Sequence, residues 1–289
     1  MPLTPEEEEA IRQEFESSRK EGHAQPKKGG TINPFQVNDH SSIKHVLGVV
    51  SGKGGVGKSL VTGILAVELS RAGHKVAILD GDITGPSIPK MFGVSDYRAR
   101  AVNEMIIPAR TASGIKIMST NLVLENETDP VVWRGPLLGN ALQQFYEETL
   151  WDDIDYLLVD MPPGTGDVAL TVFQSLPVEG VVIVSSPQDL VQMVVGKAVN
   201  MAAMMDIPVV GLVENMAYFQ CPDCGKRHEI FGPSHAGETS LLYGIDFLGQ
   251  LPIDPKLAEA CDRGTIEQDL PQGLLPDAVA IIEEHDTAE

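Results

Sequence analysis

The clearest chemical pattern in this sequence is the glycine-rich stretch at residues 52–59, GKGGVGKS. It follows an apolar run at 45–51 that predicts a buried strand, and it precedes apolar residues at helical spacing over 60–71. Glycines between a strand and a helix N-terminus let successive backbone N–H groups face an anion, and the helix dipole adds positive potential. The stretch therefore predicts a phosphate-binding loop; a glycine-rich turn without a ligand is the alternative.

Each part of this loop has a role in nucleotide binding. Lys58 supplies a cation for the outer phosphates, and the Ser59 hydroxyl is a ligand for magnesium. The expected cofactors are ATP and Mg²⁺. The expected nucleotide ligands in the loop are Gly52, Lys53, Gly54, Gly55, Val56, Gly57, Lys58 and Ser59.

Carboxylates follow two further predicted strands. The strand at 75–80 leads into Asp82, and the strand at 154–160 ends on Asp160 before a Pro-Pro-Gly-Thr-Gly segment. Ligands of open α/β sheets bind at the carboxyl ends of the strands, so these side chains should face the phosphates. We expect Asp82 to orient the attacking water and touch magnesium through its water shell, and Asp160 to hold magnesium. A helix cap and a plain loop are the respective alternatives.

Strand and helix patterns alternate from residue 45 onward, which predicts an α/β fold: a mostly parallel sheet with helices on both faces. Further strands are expected at 181–184 and 209–213, and helices near 137–150, 168–176, 189–205 and 234–243. Asn215 follows the 209–213 strand, where its side-chain amide suits adenine recognition or a turn. Residues 1–40 are expected to form a flexible N-terminal arm, and residues 41–289 a single ATPase domain with an insert near 216–232.

Composition limits the partners. The formal net charge is −20, and residues 45–289 hold 33 of the 41 acids but only 15 of the 21 lysines and arginines. This negative field opposes binding to nucleic acid and to anionic membranes. No apolar run approaches the roughly 20 residues that cross a bilayer, and no signal-peptide pattern opens the chain. We therefore expect a cytoplasmic protein with neither nucleic-acid nor membrane partners.

Two of the three cysteines form a C-x-x-C pair, Cys221 and Cys224, while Cys261 lies apart in a predicted helix. A close pair in a turn suits an iron–sulfur cluster, structural zinc completed by His228 or His235, or a redox dithiol. A 4Fe–4S cluster normally takes four thiolates, and a symmetric dimer would supply them from two copies of the pair. The three chemistries remain open at this point.

The loop pattern K-G-G-x-G-K-S resembles the deviant loop of the MinD, ParA and Mrp group of P-loop ATPases. Together with the motifs that follow, it is similar to the Mrp/ApbC family of iron–sulfur cluster carrier ATPases from about residue 43 to about residue 264. The motifs lie at 80–87, 133–136, 160–167, 186–189 and 214–216, with the last leading into the cysteine pair at 221–224.

This resemblance implies a MinD-like P-loop fold and a homodimer in which Lys53 reaches the nucleotide of the other subunit. It places Asn215 and the 251–254 segment, including Pro252, beside the adenine. Its implied activity is slow, magnesium-dependent ATP hydrolysis by a dimer that assembles a labile 4Fe–4S cluster on Cys221 and Cys224 and transfers it to apo iron–sulfur proteins. The alternatives are a nucleotide-switched positioning or scaffold ATPase with structural zinc, and an electron-donating ATPase like the nitrogenase iron protein.

Overall fold

A central, mostly parallel sheet organises the computed structural model, which describes residues 36–82, 85, 87–102, 105–124, 135–187 and 191–287. The strands in this part of the chain are β1 Ser42–Val50, β2 Val76–Asp80, β3 Arg100–Val102, β4 Met105–Ile107, β5 Ala109–Arg110, β6 Lys116–Ser119, β7 Asp153–Asp160, β8 Gly180–Ser185, β9 Val209–Gln220, β10 Arg227–His228 and β11 Phe247–Pro252. The helices are α1 Lys58–Arg71, α2 Ile88–Met91, α3 Gly135–Glu148, α4 Asp167–Ser175, α5 Val191–Met204, α6 Ala236–Tyr243, α7 Pro255–Arg263, α8 Ile266–Asp269 and α9 Ala278–Thr287.

The strand order is β10-β9-β8-β1-β7-β2-β6-β5, with β11 on the free edge of β9 and β3–β4 as a separate hairpin. Pairing is parallel except at β5–β6 and β9–β10 within the main sheet. β1 lies between β7 and β8, so the loop that follows β1 leaves from the middle of the carboxyl edge. The parallel ends of β2 and β7 meet there as well, with Asp80 paired to Asp160.

The core has two parts, one on each face of the sheet. In β1, Leu47 and Val49 belong to the part covered by α1, whereas Val46 and Val50 belong to the part covered by α3, α4 and α5. Successive side chains of a strand point to opposite faces, so a strand buried on both faces reads as a continuous apolar run. The predicted fold class is confirmed. In the described part of the chain, none of the helices has the length and apolar character that crossing a bilayer demands.

The structure changes one strand prediction. The strand expected to end at 213 continues as β9 to Gln220, because β11 pairs with its middle and β10 with its end. Asn215 is therefore inside a strand and does not follow one. The expected helix starts and ends differ from the observed ones by a few residues.

The N-terminal arm is described only at its end. Asn38, which the sequence assigned to the arm, donates hydrogen bonds to the carbonyl oxygens of Glu147 (2.9 Å) and Thr149 (2.8 Å). Asn38 therefore attaches the described end of the arm to the body of the molecule. Residues 1–35, the motif positions 133–134 and 188–189, and parts of the 80–87 motif lie outside the described residues.

Candidate functional site

The glycine-rich loop connects the buried end of β1 to the first turn of α1, as the sequence predicts. Gly57 caps the helix with φ of +81°, a left-handed conformation that favours glycine. A Cβ added at Gly57 would lie 2.2 Å from Asn215 Nδ2, and one added at Gly52 would lie 2.4 Å from the Val194 carbonyl oxygen. Both glycines are thus required by close neighbours, which hold the loop from the β9 side and from α5.

Asp160 is the centre of a buried polar cluster beneath the loop. Its Oδ1 accepts hydrogen bonds from Lys58 Nζ (2.6 Å) and Thr62 Oγ1 (2.9 Å), and its Oδ2 accepts one from Ser59 Oγ (2.5 Å). Lys58 is 6% exposed and Asp160 is fully buried. A buried ion pair is favourable only when its hydrogen bonds are satisfied, and here both carboxylate oxygens are. The cluster fixes the lysine and the hydroxyl at the first turn of α1.

A second carboxyl group, Asp80, is buried next to this cluster. Its oxygens accept hydrogen bonds from the Asp82 backbone N–H and from Ser119 Oγ, both at 3.2 Å. Burial and then the neighbouring Asp160 charge raise the pKa of Asp80 well above its ordinary value. The partly buried Asp82 follows at the same edge of the sheet, where the sequence predicted it.

Asn215 contacts the loop backbone. Its Nδ2 donates to the Val56 carbonyl oxygen (2.9 Å), and its Oδ1 accepts from the backbone N–H of Met216 (2.9 Å). The side chain is 1% exposed, so the amide that was predicted to read adenine holds the phosphate loop in this structure. Pro252 lies at the end of β11, where it pairs with Tyr218 of β9. Adenine recognition by either residue stays a prediction.

The cysteine pair lies beyond the end of β9 in a tight turn. The Cys221 N–H donates to the Lys226 carbonyl oxygen, and the Gly225 N–H donates to the Cys221 carbonyl oxygen, both at 2.9 Å. β10 then pairs with the end of β9 and closes the turn. Cys221 is partly exposed and Cys224 is exposed, so both thiols are accessible. Arg227 stacks over the Tyr218 ring, with its guanidinium carbon 4.2 Å from the ring centroid, which braces the base of the turn.

This turn favours the thiolate form of Cys221. Backbone N–H groups of Cys224 and Asp223, together with the Cys224 thiol, hydrogen-bond its sulfur and lower the pKa of Cys221 below its ordinary value. Thiolate is the metal-binding form of cysteine. Within the described residues, no three His, Cys, Asp or Glu side chains come together as a metal site, so the turn offers two thiols from one chain.

Sequence reasoning missed three residues of the site. Thr62 could have been found from its spacing, since it lies one helical turn after Lys58 and therefore on the same face of α1. Asp80 was noted only as the start of a motif, although its place at the end of a buried strand matches that of Asp160. Glu214, which is buried beside Asn215, was likewise noted only as the start of the 214–216 motif, and nothing in the local sequence predicts its contacts.

A known protein family and several named relatives are similar to this chain. The family model described as a ParA-type NUBPL iron-transfer P-loop NTPase matches residues 42–281. An iron-sulfur cluster carrier protein of Clostridium perfringens is 48% identical over 237 residues, which cover 80% of this chain and 83% of that protein. One of the same name from Methanocaldococcus jannaschii is 46% identical over 225 residues, covering 78% of each chain.

Two solved structures resemble the fold. A nucleotide-binding protein from Archaeoglobus fulgidus, solved in complex with ADP, has a TM-score of 0.73 and 42% identity, covering 80% of this chain and 92% of its own. The MinD cell division protein of Aquifex aeolicus has a TM-score of 0.59 at 17% identity, covering 85% of this chain and 97% of its own. The second likeness concerns the fold alone, and it agrees with the MinD-like architecture expected from the sequence.

Proposed function

The chain belongs to the NUBPL iron-transfer P-loop NTPase family, and from this premise we propose that it binds and hydrolyses ATP to carry an iron–sulfur cluster to apoproteins. The observation that supports this most directly is that one strand, β9, links the phosphate loop to the cysteine turn. One strand carries the Asn215 amide bonded to the phosphate loop and, beyond its end, the accessible thiols of Cys221 and Cys224. Relatives that are 46–48% identical bear the name iron-sulfur cluster carrier protein.

In this proposal, the nucleotide binds at the phosphate loop, above the buried cluster around Asp160. The loop N–H groups and Lys58 bind the outer phosphates, with the triphosphate competing with Asp160 for the lysine ammonium. Ser59 Oγ and Asp160 Oδ2, already 2.5 Å apart, are oxygen ligands of the kind magnesium takes, directly or through water, alongside phosphate oxygens. Bound magnesium supplies charge neutralisation on the phosphates. Asp82 orients the attacking water.

The cargo end requires a second copy of the chain. One chain offers two thiols in its turn, whereas a 4Fe–4S cluster normally takes four thiolate ligands. A two-fold axis beside the turn would bring Cys221 and Cys224 of both copies to one cluster. The same dimer allows Lys53 to reach the partner's nucleotide, where its charge stabilises the transition state of phosphoryl transfer. Slow hydrolysis suits this function, because the useful output of each cycle is a change in dimer geometry.

We further propose that residues 41–289 act as one ATPase domain, with the segment 216–232 as its cluster-binding part. The acceptors are apo iron–sulfur proteins. Nucleic acid and membranes are not partners in this proposal, because the net charge of −20 opposes both.

Anaerobic reconstitution of the full chain with iron and sulfide tests the proposal. We expect a broad visible absorbance from the cluster, with about four irons per two chains. It should be lost in Cys221→Ala and Cys224→Ala and retained in Cys261→Ala, a matched control on α7 outside the turn. Mixing with an apo-ferredoxin should then move the cluster to the acceptor.

Other outcomes identify the alternatives. Stoichiometric zinc that resists exchange by iron would contradict the carrier and favour a scaffold ATPase. A cluster that is reduced and reoxidised repeatedly, but does not transfer, would favour an electron donor.

A further inference from the structure

Glu214 is a buried carboxylate to which the proposed mechanism gives no role. It is fully buried at the point where β9 pairs with Ser185 of β8. Its Oε2 accepts hydrogen bonds from Ser234 Oγ (2.6 Å) and Gln250 Nε2 (2.8 Å), while its Oε1 has no hydrogen-bond partner among the described residues. Burying a polar group is costly, and the hydrogen bonds from Ser234 and Gln250 offset part of that cost.

The Ser234 contact fixes the far end of the cysteine segment. The chain leaves β9 at Gln220, forms the turn, and returns to the sheet at Ser234. The Ser234 Oγ also accepts a hydrogen bond from the Ala236 N–H (3.3 Å) at the start of α6. The segment 221–233, which contains both cysteines, is therefore held to β9 in three ways. Its start is continuous backbone, its middle is the pairing of β10 with the end of β9, and its far end is the hydrogen bond of Ser234 to Glu214.

The residue that follows Glu214 in β9 contacts the phosphate loop. Asn215 donates to the Val56 carbonyl oxygen of the phosphate loop, so adjacent residues on one strand hold the nucleotide loop and the return of the cysteine segment. Met216 follows with φ of +58°, a conformation that a side-chain-bearing residue rarely adopts, at the point where the register between β9 and β11 shifts. Strained residues of this kind persist where surrounding contacts determine them and are frequent at switch regions.

We infer that Glu214 is a positioning residue that transmits the state of the phosphate loop to the cysteine turn, through Asn215 on one side and Ser234 on the other. The inference rests on the proposed function, since it assumes that both ends belong to one site. A displacement of Val56 by nucleotide moves Asn215, and the Glu214–Ser234 bond carries that movement to the segment that holds the cysteines. Coupling between two sites in one protein typically changes binding affinity by about 5-fold or more, and we expect a change of the same order in the reactivity of the thiols.

Alkylation of the metal-free protein by iodoacetamide tests this linkage, with each cysteine followed by peptide mass spectrometry. Cys261, half-buried in α7, serves as the reference within the same molecule. In the wild type we expect Mg–ATPγS to change the alkylation rate of Cys221 and Cys224 by about 5-fold relative to Cys261. Ser234→Ala should reduce that factor to within about 1.5-fold of unity, with nucleotide affinity unchanged, because the variant cuts the linkage and leaves the phosphate loop intact.

Matched variants separate linkage from simple destabilisation. Ser234→Thr keeps the hydroxyl, and Glu214→Gln keeps an acceptor for both donors, so each should retain the wild-type factor, whereas Glu214→Ala should lose it. Ser240→Ala on α6 removes a buried hydroxyl that has no hydrogen-bond partner among the described residues, and it should behave as the wild type. Sedimentation of each variant with nucleotide checks that the oligomeric state is unchanged.

The inference is overturned if Ser234→Ala keeps the wild-type factor, or if nucleotide leaves the wild-type thiols unaffected. Neither result depends on iron. A protein that shows the coupling but binds no cluster on reconstitution would instead refute the proposed function and leave the linkage standing.

Discussion

The phosphate loop and the cysteine turn are built in opposite ways. At the loop, Lys58 and Asp160 are almost fully buried, and both oxygens of the carboxylate are hydrogen-bonded. At the turn, the thiols are accessible and short backbone hydrogen bonds define the geometry. Ile230 and Phe231, just after the turn, are 58% and 42% exposed.

This difference matches two kinds of task. A site that must hold a triphosphate in one orientation gains from groups fixed in advance by the core. A site that receives and releases cargo must stay open, and one that two chains share must be incomplete in each. We therefore expect substitutions at the loop to affect stability and nucleotide chemistry, and substitutions at the turn to affect only the cluster.

The largest expected effect is on stability at the loop. Asp160→Ala leaves Lys58 buried without its counter-ion, and we expect a loss of about 3–5 kcal/mol in the free energy of unfolding. Asp153→Ala, on the same strand but with its side chain 80% exposed, should cost at most about 0.5 kcal/mol. Urea denaturation measures both. Equal losses in the two variants would mean that the buried cluster contributes no more to the free energy of unfolding than the exposed carboxylate does.

The two lysines of the loop should differ in kinetics. Lys58→Ala removes a charged contact to the phosphates and should weaken ATP binding by about 10- to 100-fold. Lys53→Ala should leave ATP affinity nearly unchanged and lower turnover by about 1,000-fold, as expected for a transition-state cation supplied by the partner. Equilibrium nucleotide binding and steady-state hydrolysis separate the two parameters. Similar changes in both parameters for both variants would contradict this division of roles.

A smaller effect should appear in the pH dependence of stability. Because the pKa of Asp80 is raised, its contribution to stability is fully present below its ordinary value of 3.8 and is lost as pH rises through the raised value. Asp80→Asn, which cannot ionise, should therefore become more stable relative to the wild type as pH rises. Urea denaturation of both proteins between about pH 5 and pH 8 measures this difference in stability. Proteins are usually most stable in roughly this range of pH.

Asp155→Asn is a control in which the effect of pH on stability should have the opposite sign. The Lys44 ammonium, followed by the Lys75 backbone N–H, lowers the pKa of Asp155. Its contribution is therefore present above the ordinary value and is lost as pH falls through the lowered one. Asp155→Asn should be less stable than the wild type at neutral pH. An Asp80→Asn difference that does not vary with pH would contradict the raised pKa.

The smallest effect is at the turn and concerns reactivity. Hydrogen bonds lower the pKa of Cys221, whereas burial and then Asp262 raise the pKa of Cys261. Alkylation requires the thiolate, so Cys221 should react at lower pH than Cys261 when both are followed by mass spectrometry across a pH series. The reverse order would show that the turn does not favour a thiolate.

Much of the nucleotide end could be predicted from sequence, because its signals are local. The loop spacing, the apolar strands and the aspartates at their ends depend on residues close together in the chain. Parallel strands then bring Asp80 and Asp160 together at one edge. The family match confirms the predicted resemblance to iron–sulfur cluster carrier ATPases.

The rest depends on contacts between distant segments. The length of β9 was underestimated because Glu214 and Asn215 interrupt its apolar run, and pairing with β11 and β10 extends it. The Asn215 contact with Val56 joins residues 159 positions apart, and no spacing rule reveals it. The same holds for Glu214, whose partners lie 20 and 36 positions away.

The central claim is that two copies of this chain share one cluster through their cysteine turns. Native mass spectrometry of the anaerobically reconstituted protein tests it most directly, since each chain has a mass of 31.1 kDa. We predict a species of two chains with one four-iron cluster. This species should be lost in Cys221→Ala and Cys224→Ala, whereas Cys261→Ala should form it as the wild type does. A single chain that holds a complete cluster, or a dimer whose cluster survives loss of the cysteine pair, would contradict the account.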